Sequence, residues 1–212
     1  MKWGINNSKR IEATPKAKGS CSLCGEKLIP KCGTIKIWHW SHKSLRDCDA
    51  WAEGETKWHL DWKNKFPVEM QEVIIGKHRA DVKTSKGIVI EFQNSSISSE
   101  DIVKREEFYG EMVWVLNGKK LCSGLDLRRK NNIITFRWKH PPKSWWNSKK
   151  PICIDLDGLY EIRNENPDKY VLPEYVSETK SKLFFIKKIY HNIPCGGWGI
   201  LINKEDFLKQ FK

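Results

Sequence analysis

The chain has 212 residues, enough for one domain or one domain with small appendages. A hydrophobic fraction of 39% and eleven tryptophans exclude a disordered chain. No run approaches the ~18 apolar residues of a membrane span, and the N-terminus lacks the apolar stretch of a signal peptide, so the expectation is a soluble, cytoplasmic protein with no membrane partner. The formal net charge is +12, distributed as +5 over 1–54, −2 over 55–118, +9 over 119–150 and zero over 151–212. Basic flanks suit a polyanion such as nucleic acid, whereas an acidic middle suits a bound cation.

In chain order, residues 1–20 read as a basic lead-in with little core, and 21–52 as a short module rich in cysteine and histidine. From Glu53 the pattern turns helical: Glu55, Trp58, His59, Trp62 and Phe66 recur at the three-and-four spacing of one face, and Pro67 ends the run. Val68–Ile75, His78–Thr84 and Ile88–Asn94 read as strands, with Ser85-Lys86-Gly87 turning between the last two. Ser98 with Asp101 three residues on opens a helix that Gly110 closes near Tyr109. Met112–Leu116 is a nearly continuous apolar run, as in a buried parallel strand. The middle of the chain, 53–118, thus has the order helix, three strands, helix, strand, with the second helix as a crossover.

Residues 119–150 read as a basic linker carrying Trp138, Trp145 and Trp146. Beyond Pro141-Pro142, residues 151–212 form a β-rich extension without an evident role. Ile152–Leu156, Leu159–Ile162 and Leu183–Tyr190 look like short strands, and Asn203 with Asp206 caps a last helix. The fold class is therefore α/β, an α+β mixed sheet between a small cysteine module and a basic, β-rich C-terminal extension.

Seven cysteines, an odd number without a secretory signal, argue against a disulfide framework. Cys122, Cys153 and Cys195 read as packing residues. Cys21-Ser22-Leu23-Cys24-Gly25 is a knuckle that aims two thiolates at one point, and Cys32, His39, His42 and Cys48 follow it. Structural zinc takes four nitrogen or sulfur ligands. Cys21 and Cys24 are the firmest pair, and the others come from His42 with His39 or Cys48.

The acids of the middle region depend on register. If Ser85-Lys86-Gly87 is a three-residue loop with Gly87 left-handed, Thr84 pairs with Ile88 and Asp81 falls opposite Glu91. Gln93 then shares that face. Facing carboxylates repel each other, and a divalent cation bound through oxygen, Mg²⁺ or Mn²⁺, offsets the repulsion. A two-residue loop would turn Asp81 away. Glu55 is placed to join these acids from the preceding helix, and His59 lies one turn on. Taken one at a time, such residues are more often solvated acids and a packed histidine.

These residues resemble a known family. The D-x9-E-x-Q signature in its helix and strand order is similar to the PD-(D/E)XK nuclease superfamily, whose restriction-endonuclease-like core has the order αβββαβ. More narrowly, several motifs together resemble the competence protein CoiA family: the C-x-x-C module, His39-Trp40-Ser41-His42-Lys43-Ser44, Asp47-Cys48, Glu53-Gly54-Glu55-Thr56 with His59, Arg79-Ala80-Asp81, and Ile90-Glu91-Phe92-Gln93-Asn94-Ser95. The resemblance covers about 20–118. It implies a metal-dependent deoxyribonuclease in DNA processing or recombination, or in phage or defence biology. Glu55, Asp81 and Glu91 would be the metal-binding acids, with Gln93 where many superfamily members carry lysine. A glutamine there can only orient by hydrogen bonds, which leaves more of the charge stabilisation to the metal or to Lys104 or Arg105. Gln93 and His59 would position water or the leaving oxygen.

Arg128, Arg129, Lys130 and Lys143, with Lys104 and Arg105, are the candidate DNA contacts, and Trp138, Trp145 and Trp146 are candidates for stacking on unpaired bases. Two alternatives stay open: a catalytically inactive DNA-binding or recombination-accessory protein on a nuclease fold, and a zinc-dependent regulator reading one operator. The strandedness of the substrate, DNA against RNA, and the oligomeric state, a homodimer included, are open as well.

Overall fold

The computed structural model describes residues 1–43, 48–52, 54–157, 162–164, 175–176, 181–191 and 195–211. Ser44, Asp47 and Glu53 of the family motifs lie outside the described residues, as does Leu159 at the start of an expected strand. The protein is a sheet-dominated α+β structure in two units, residues 1–85 and 86–212.

The first unit begins with strands β1 (Trp3–Asn6), β2 (Lys9–Glu12), β3 (Gly19–Ser20), β4 (Lys27–Lys31) and β5 (His39–His42). They form one sheet in the order β2-β1-β3-β4-β5. Residues 1–20 are therefore not a polar lead-in; they supply three of its five strands. The reason is burial. Ala13, Cys21, Leu28 and Trp40 form a small core, packed by Met1, Ile11, Ala17 and Leu23, which the cysteine module could not enclose alone. Trp40 is the centre of that core. A β-carbon on Gly4 would lie 2.9 Å from its ring and one on Gly19 3.1 Å away, so both strands approach the indole only because these positions lack side chains.

Helix α1 (Lys57–Lys63) follows, with Thr56 as N-cap accepting from the His59 N–H at 3.3 Å. Its inward side buries His59, Trp62 and Lys63. Residues Val68–Met70, expected to open a strand, make a 3₁₀ turn after Pro67 instead. Strand β6 (Gln71–Ile75) then pairs antiparallel with β7 (His78–Lys83). In β7, His78, Ala80 and Val82 are buried while Arg79, Asp81 and Lys83 alternate with them on the other face.

In the second unit, β8 (Val89–Gln93) and β9 (Met112–Asn117) are parallel neighbours joined through α2 (Ser99–Tyr109). Ser98 caps α2, accepting from the Asp101 N–H at 3.0 Å, and Gly110 stops it at φ +68. All six residues of β9 are buried, as its apolar run requires.

The stretch 119–150 is not a linker. After the short α3 (Gly118–Leu121), strands β10 (Leu125–Lys130) and β11 (Ile133–Trp138) pair as a hairpin, and a 3₁₀ turn spans Lys143–Asn147. Strands β12 (Ile152–Asp155), β13 (Ile162–Asn164), β14 (Tyr175–Val176), β15 (Lys182–Tyr190) and β16 (Cys195–Asn203) complete the sheet, and α4 (Lys204–Phe211) ends the described chain. The strand order within this unit is β14-β13-β10-β11-β16-β15-β12-β9-β8.

Basic residues in β10 and β11 alternate with apolar ones, which is why a charge count alone reads the segment as a linker: Leu125, Leu127, Ile134, Phe136 and Trp138 are all buried. Strand β16 was not foreseen because Gly196, Gly197 and Gly199 depress its strand propensity. Its neighbours leave no room for side chains there, since a β-carbon on Gly197 would fall 2.0 Å from the Lys188 carbonyl oxygen. No helix among the described residues is long and apolar enough to cross a membrane.

Candidate functional site

Three groups of side chains carry chemistry, and each lies within one unit. The first is the cysteine module. Gly25 at φ +76 closes the knuckle, and the Gly25 N–H donates to the Cys21 carbonyl at 2.9 Å, which brings Cys21 and Cys24 round to one side. Cys21, Cys24, His42 and Cys48 each present a ligand atom, and the four atoms lie within 4.8 Å of one another. Cys24 Sγ is 3.3 Å from His42 Nε2, and Cys21 Sγ is 3.5 Å from Cys48 Sγ.

Burial pushes the Cys21 thiol up, but N–H groups of Cys24 and Leu23 and the Cys48 thiol outweigh it and hold Cys21 below its ordinary value. Burial, with hydrogen bonds to Cys21 and Cys24, drives Cys48 the other way. Burial and the Arg79 charge lower His42, favouring the neutral imidazole that ligates metals. Three thiols and an imidazole are the donor set of a closed zinc site. His39 is not part of it. Its Nδ1 is 2.8 Å from the Ile37 carbonyl oxygen, and Cys32 also stays outside. Two residues of one strand three apart point to opposite faces, so β5 presents His42 and turns His39 away.

The second group is an acid–lysine cluster. Lys63 Nζ lies 2.7 Å from Glu55 Oε2, 2.8 Å from Glu72 Oε1 and 3.9 Å from Asp81 Oδ1. The Lys63, Glu55 and Glu72 side chains are only 3–4% exposed, and Asp81 is 24% exposed. Glu72 also accepts from the backbone N–H groups of Lys2 at 2.6 Å and Trp3 at 3.1 Å. These bonds hold it at φ +48, a left-handed conformation that costs a non-glycine residue of order 1 kcal/mol.

Burial would lower the Lys63 ammonium, but Glu72, Glu55 and Asp81 together raise it well above its ordinary value. Burial would raise Glu72, yet the charges of Lys63, the N-terminal ammonium and Arg79, with the Lys2 N–H, together outweigh this and hold its carboxyl well below the carboxylate range. His59 is buried one turn before Lys63, with its Nδ1 2.8 Å from the N-cap Thr56 Oγ1. A cavity of about 350 Å³ joins this region to the cysteine–histidine cluster. Glu55, Arg79, His39, His42 and Cys48 are among its walls.

The expected acids Glu55 and Asp81 thus come together in the first unit, on a lysine and a third acid that sequence reasoning missed. A signal existed for Lys63, which follows His59 by four residues on the same stripe of α1. Glu55, expected on this helix, lies just before its N-cap Thr56 and reaches Lys63 from there. Glu72 had no such signal, because its role depends on the N-terminal strand that donates to it.

The third group belongs to the second unit. Glu91 Oε2 accepts from Arg105 Nη1 at 3.2 Å, and both side chains are 8% exposed. Gln93 is buried and its Nε2 donates to the Ser95 carbonyl at 2.9 Å. Lys104, one residue from Arg105, points outward to Glu100 at 2.6 Å. Of the other basic candidates, Arg128 pairs with Asp126 at 2.9 Å, Arg129 is half-buried, and Lys130 and Lys143 are exposed. Trp138 and Trp145 are 3% and 4% exposed, so both are core residues and neither presents a face to a base.

Two family models match the chain: the N-terminal domain of competence protein CoiA over residues 5–50, and its nuclease-like domain over 56–140. Together they span more than half of it. The chain belongs to the competence protein CoiA-like family. The CoiA N-terminal match begins within β1, consistent with residues 1–20 sharing a sheet with the cysteines. The CoiA nuclease-like match takes in Lys63, Glu72 and Asp81 of the acid–lysine cluster and the Glu91–Arg105 pair, begins one residue after Glu55, and runs on through β10 and β11. No curated protein and no solved structure gives a significant match.

Proposed function

We propose that this CoiA-like chain is a PD-(D/E)XK-type, metal-dependent deoxyribonuclease with a structural zinc. The observation that carries the reading is the convergence of Glu55 and Asp81 on Lys63, with Lys63 and Asp81 inside the stretch that matches a nuclease-like domain. The helix, three strands, helix, strand order over 57–117 supports it.

Asp81 and Glu91 hold the catalytic Mg²⁺ or Mn²⁺ in this reading, a donor set of oxygens suited to hard cations. When bound, the ion polarises the phosphate and acidifies the attacking water. Lys63 fixes the Glu55 carboxylate and places a positive charge near Asp81. Arg105 orients Glu91 through its 3.2 Å contact. Gln93 holds its amide by the Ser95 carbonyl, where it can orient a water but not take up its proton. Cys21, Cys24, His42 and Cys48 bind Zn²⁺ and stiffen the first unit. Exposed basic residues, Lys130 and Lys143 among them, meet the DNA backbone without regard to sequence.

The test is cleavage of linear, circular and single-stranded DNA with Mg²⁺ or Mn²⁺ against a chelator control. Asp81→Asn and Glu91→Gln are expected to abolish cleavage and leave DNA affinity nearly intact. Equal cleavage by wild type and both variants removes the active-site assignment. A second reading, a DNA-binding accessory protein without hydrolysis, is favoured by the pairing of Glu55 with Lys63 and of Glu91 with Arg105, which neutralises acids a metal would use. Metal-independent binding without any cleavage would select it.

A further inference from the structure

Residues 145–152 and 185–191 lie beyond both family matches. They line a cavity of about 410 Å³ within the second unit, between the 3₁₀ turn at Trp145-Trp146, the segment up to Ile152, and strand β15 with His191.

One wall is built rigidly. Glu106 of α2 is buried and accepts from Trp114 Nε1 at 3.0 Å, Ser148 Oγ at 2.5 Å and the Lys149 N–H at 2.8 Å. Trp145 packs edge-on against Trp114, ring centroids 5.1 Å apart. The segment carrying Trp146 and Lys149 is thereby pinned to the core of the unit.

The lining chemistry has one sign. Lys149, Lys150, Lys187, Lys188 and His191 face the cavity, and among the described residues no carboxylate lines it. Lys150 has Glu111 at 3.9 Å, whereas Lys149, Lys187 and Lys188 have no carboxylate partner among the described residues. Gathering like charges without counter-ions costs free energy that a bound polyanion repays.

Aromatic rings alternate with these charges. The half-buried Trp146 ring tilts against His191 at 4.9 Å, Lys187 Nζ sits 4.2 Å above Phe185, and Lys188 Nζ lies 5.3 Å from the Tyr190 ring, which is 48% exposed. The buried Trp146 Nε1 meets no acceptor, a donor that a ligand or water would satisfy.

We propose that this cavity binds single-stranded nucleic acid, with a base against Trp146 and His191 and the flanking phosphates on Lys149, Lys187 and Lys188. Cations that track a backbone beside rings that accept a base face are the requirements for an unpaired strand. A duplex keeps its base faces stacked and offers only phosphates. The site shares no residue with the acids of the nuclease reading and does not depend on cleavage.

The experiment measures binding of a labelled oligothymidylate and of a duplex of the same length to the full chain, by fluorescence anisotropy with a chelator present. The single strand is expected to bind about tenfold or more tightly than the duplex. The exposed pair Lys187→Glu with Lys188→Glu should weaken single-strand binding about tenfold or more, with a shallower salt dependence. His191→Ala, also exposed, should weaken it several-fold, and unchanged circular dichroism melting would show that both variants fold. Binding is read without any cleavage, so a failed cleavage assay leaves this result standing. Equal affinity for strand and duplex, or a lysine double variant that binds like wild type, overturns the proposal.

Discussion

Lys63 and Glu72 form an ion pair 2.8 Å long with both side chains almost fully buried. The lysine comes from α1 and the glutamate from β6, and the same ammonium holds Glu55. Removing only the cation leaves carboxylates in a dry site, the costly way to break such a pair. Lys63→Ala is therefore expected to destabilise the protein by about 3–5 kcal/mol, read by urea unfolding. Lys63→Arg should recover part of that loss.

The same pair predicts a pH dependence. The Glu72 carboxyl is held below its unfolded value, so its contribution to stability is complete above about pH 4.3 and is lost as the pH falls toward its folded value. Lys63 is raised, so its contribution is complete below about pH 10.4 and is lost only when the pH rises through the higher folded value. The stability difference between wild type and Glu72→Gln should be constant near neutrality and shrink on acidification. Unfolding curves at a series of pH values measure it; a difference independent of pH down to pH 2 would refute the assignment.

Zinc should be present at one equivalent per chain. Cys24→Ser is expected to lose it and His39→Ala to keep it, as read by metal analysis after gel filtration. Stripping the metal should lower the melting temperature, because the small Trp40 core supplies little hydrophobic stabilisation of its own. Zinc lost from His39→Ala and kept by Cys24→Ser would reverse the ligand assignment.

Gly4→Ala tests the packing at Trp40. Its β-carbon would meet the ring at 2.9 Å, which forces the indole or β1 to move and should cost about 1–3 kcal/mol. Gly33→Ala, where nothing lies within 4 Å, is the matched control and should be nearly neutral.

Local chemistry made several elements legible from the chain alone. Ser98, Asp101 and Gly110 mark the ends of α2 because capping acts over a few residues. Met112–Leu116 reads as a buried strand because both faces must be apolar. Asn203 and Asp206 announce α4, with the Asn203 Nδ2 donating to the Asp206 carboxylate at 3.1 Å. The knuckle at Cys21 and Cys24 is likewise a local turn.

Elements whose meaning depends on distant partners were misread. Residues 1–20 look polar because their strands bury little except against Trp40. The basic residues of β10 and β11 hide an alternating apolar face that only a neighbouring strand turns into a core. Trp138 and Trp145 looked available to a ligand and are packed inside.

By itself the sequence determined the ends of α2, the buried strand β9, two members of the cysteine–histidine cluster and the family. Tertiary structure decided that His42 and Cys48 complete the cluster, that Lys63 and Glu72 join Glu55 and Asp81, and that Trp146 lines a cavity of lysines. Caps, knuckles and periodicity arise from contacts a few residues apart, so they are written in order along the chain. Convergence of charged groups from separate strands and helices depends on pairing register and on which face is buried, and those are set only when the sheets assemble.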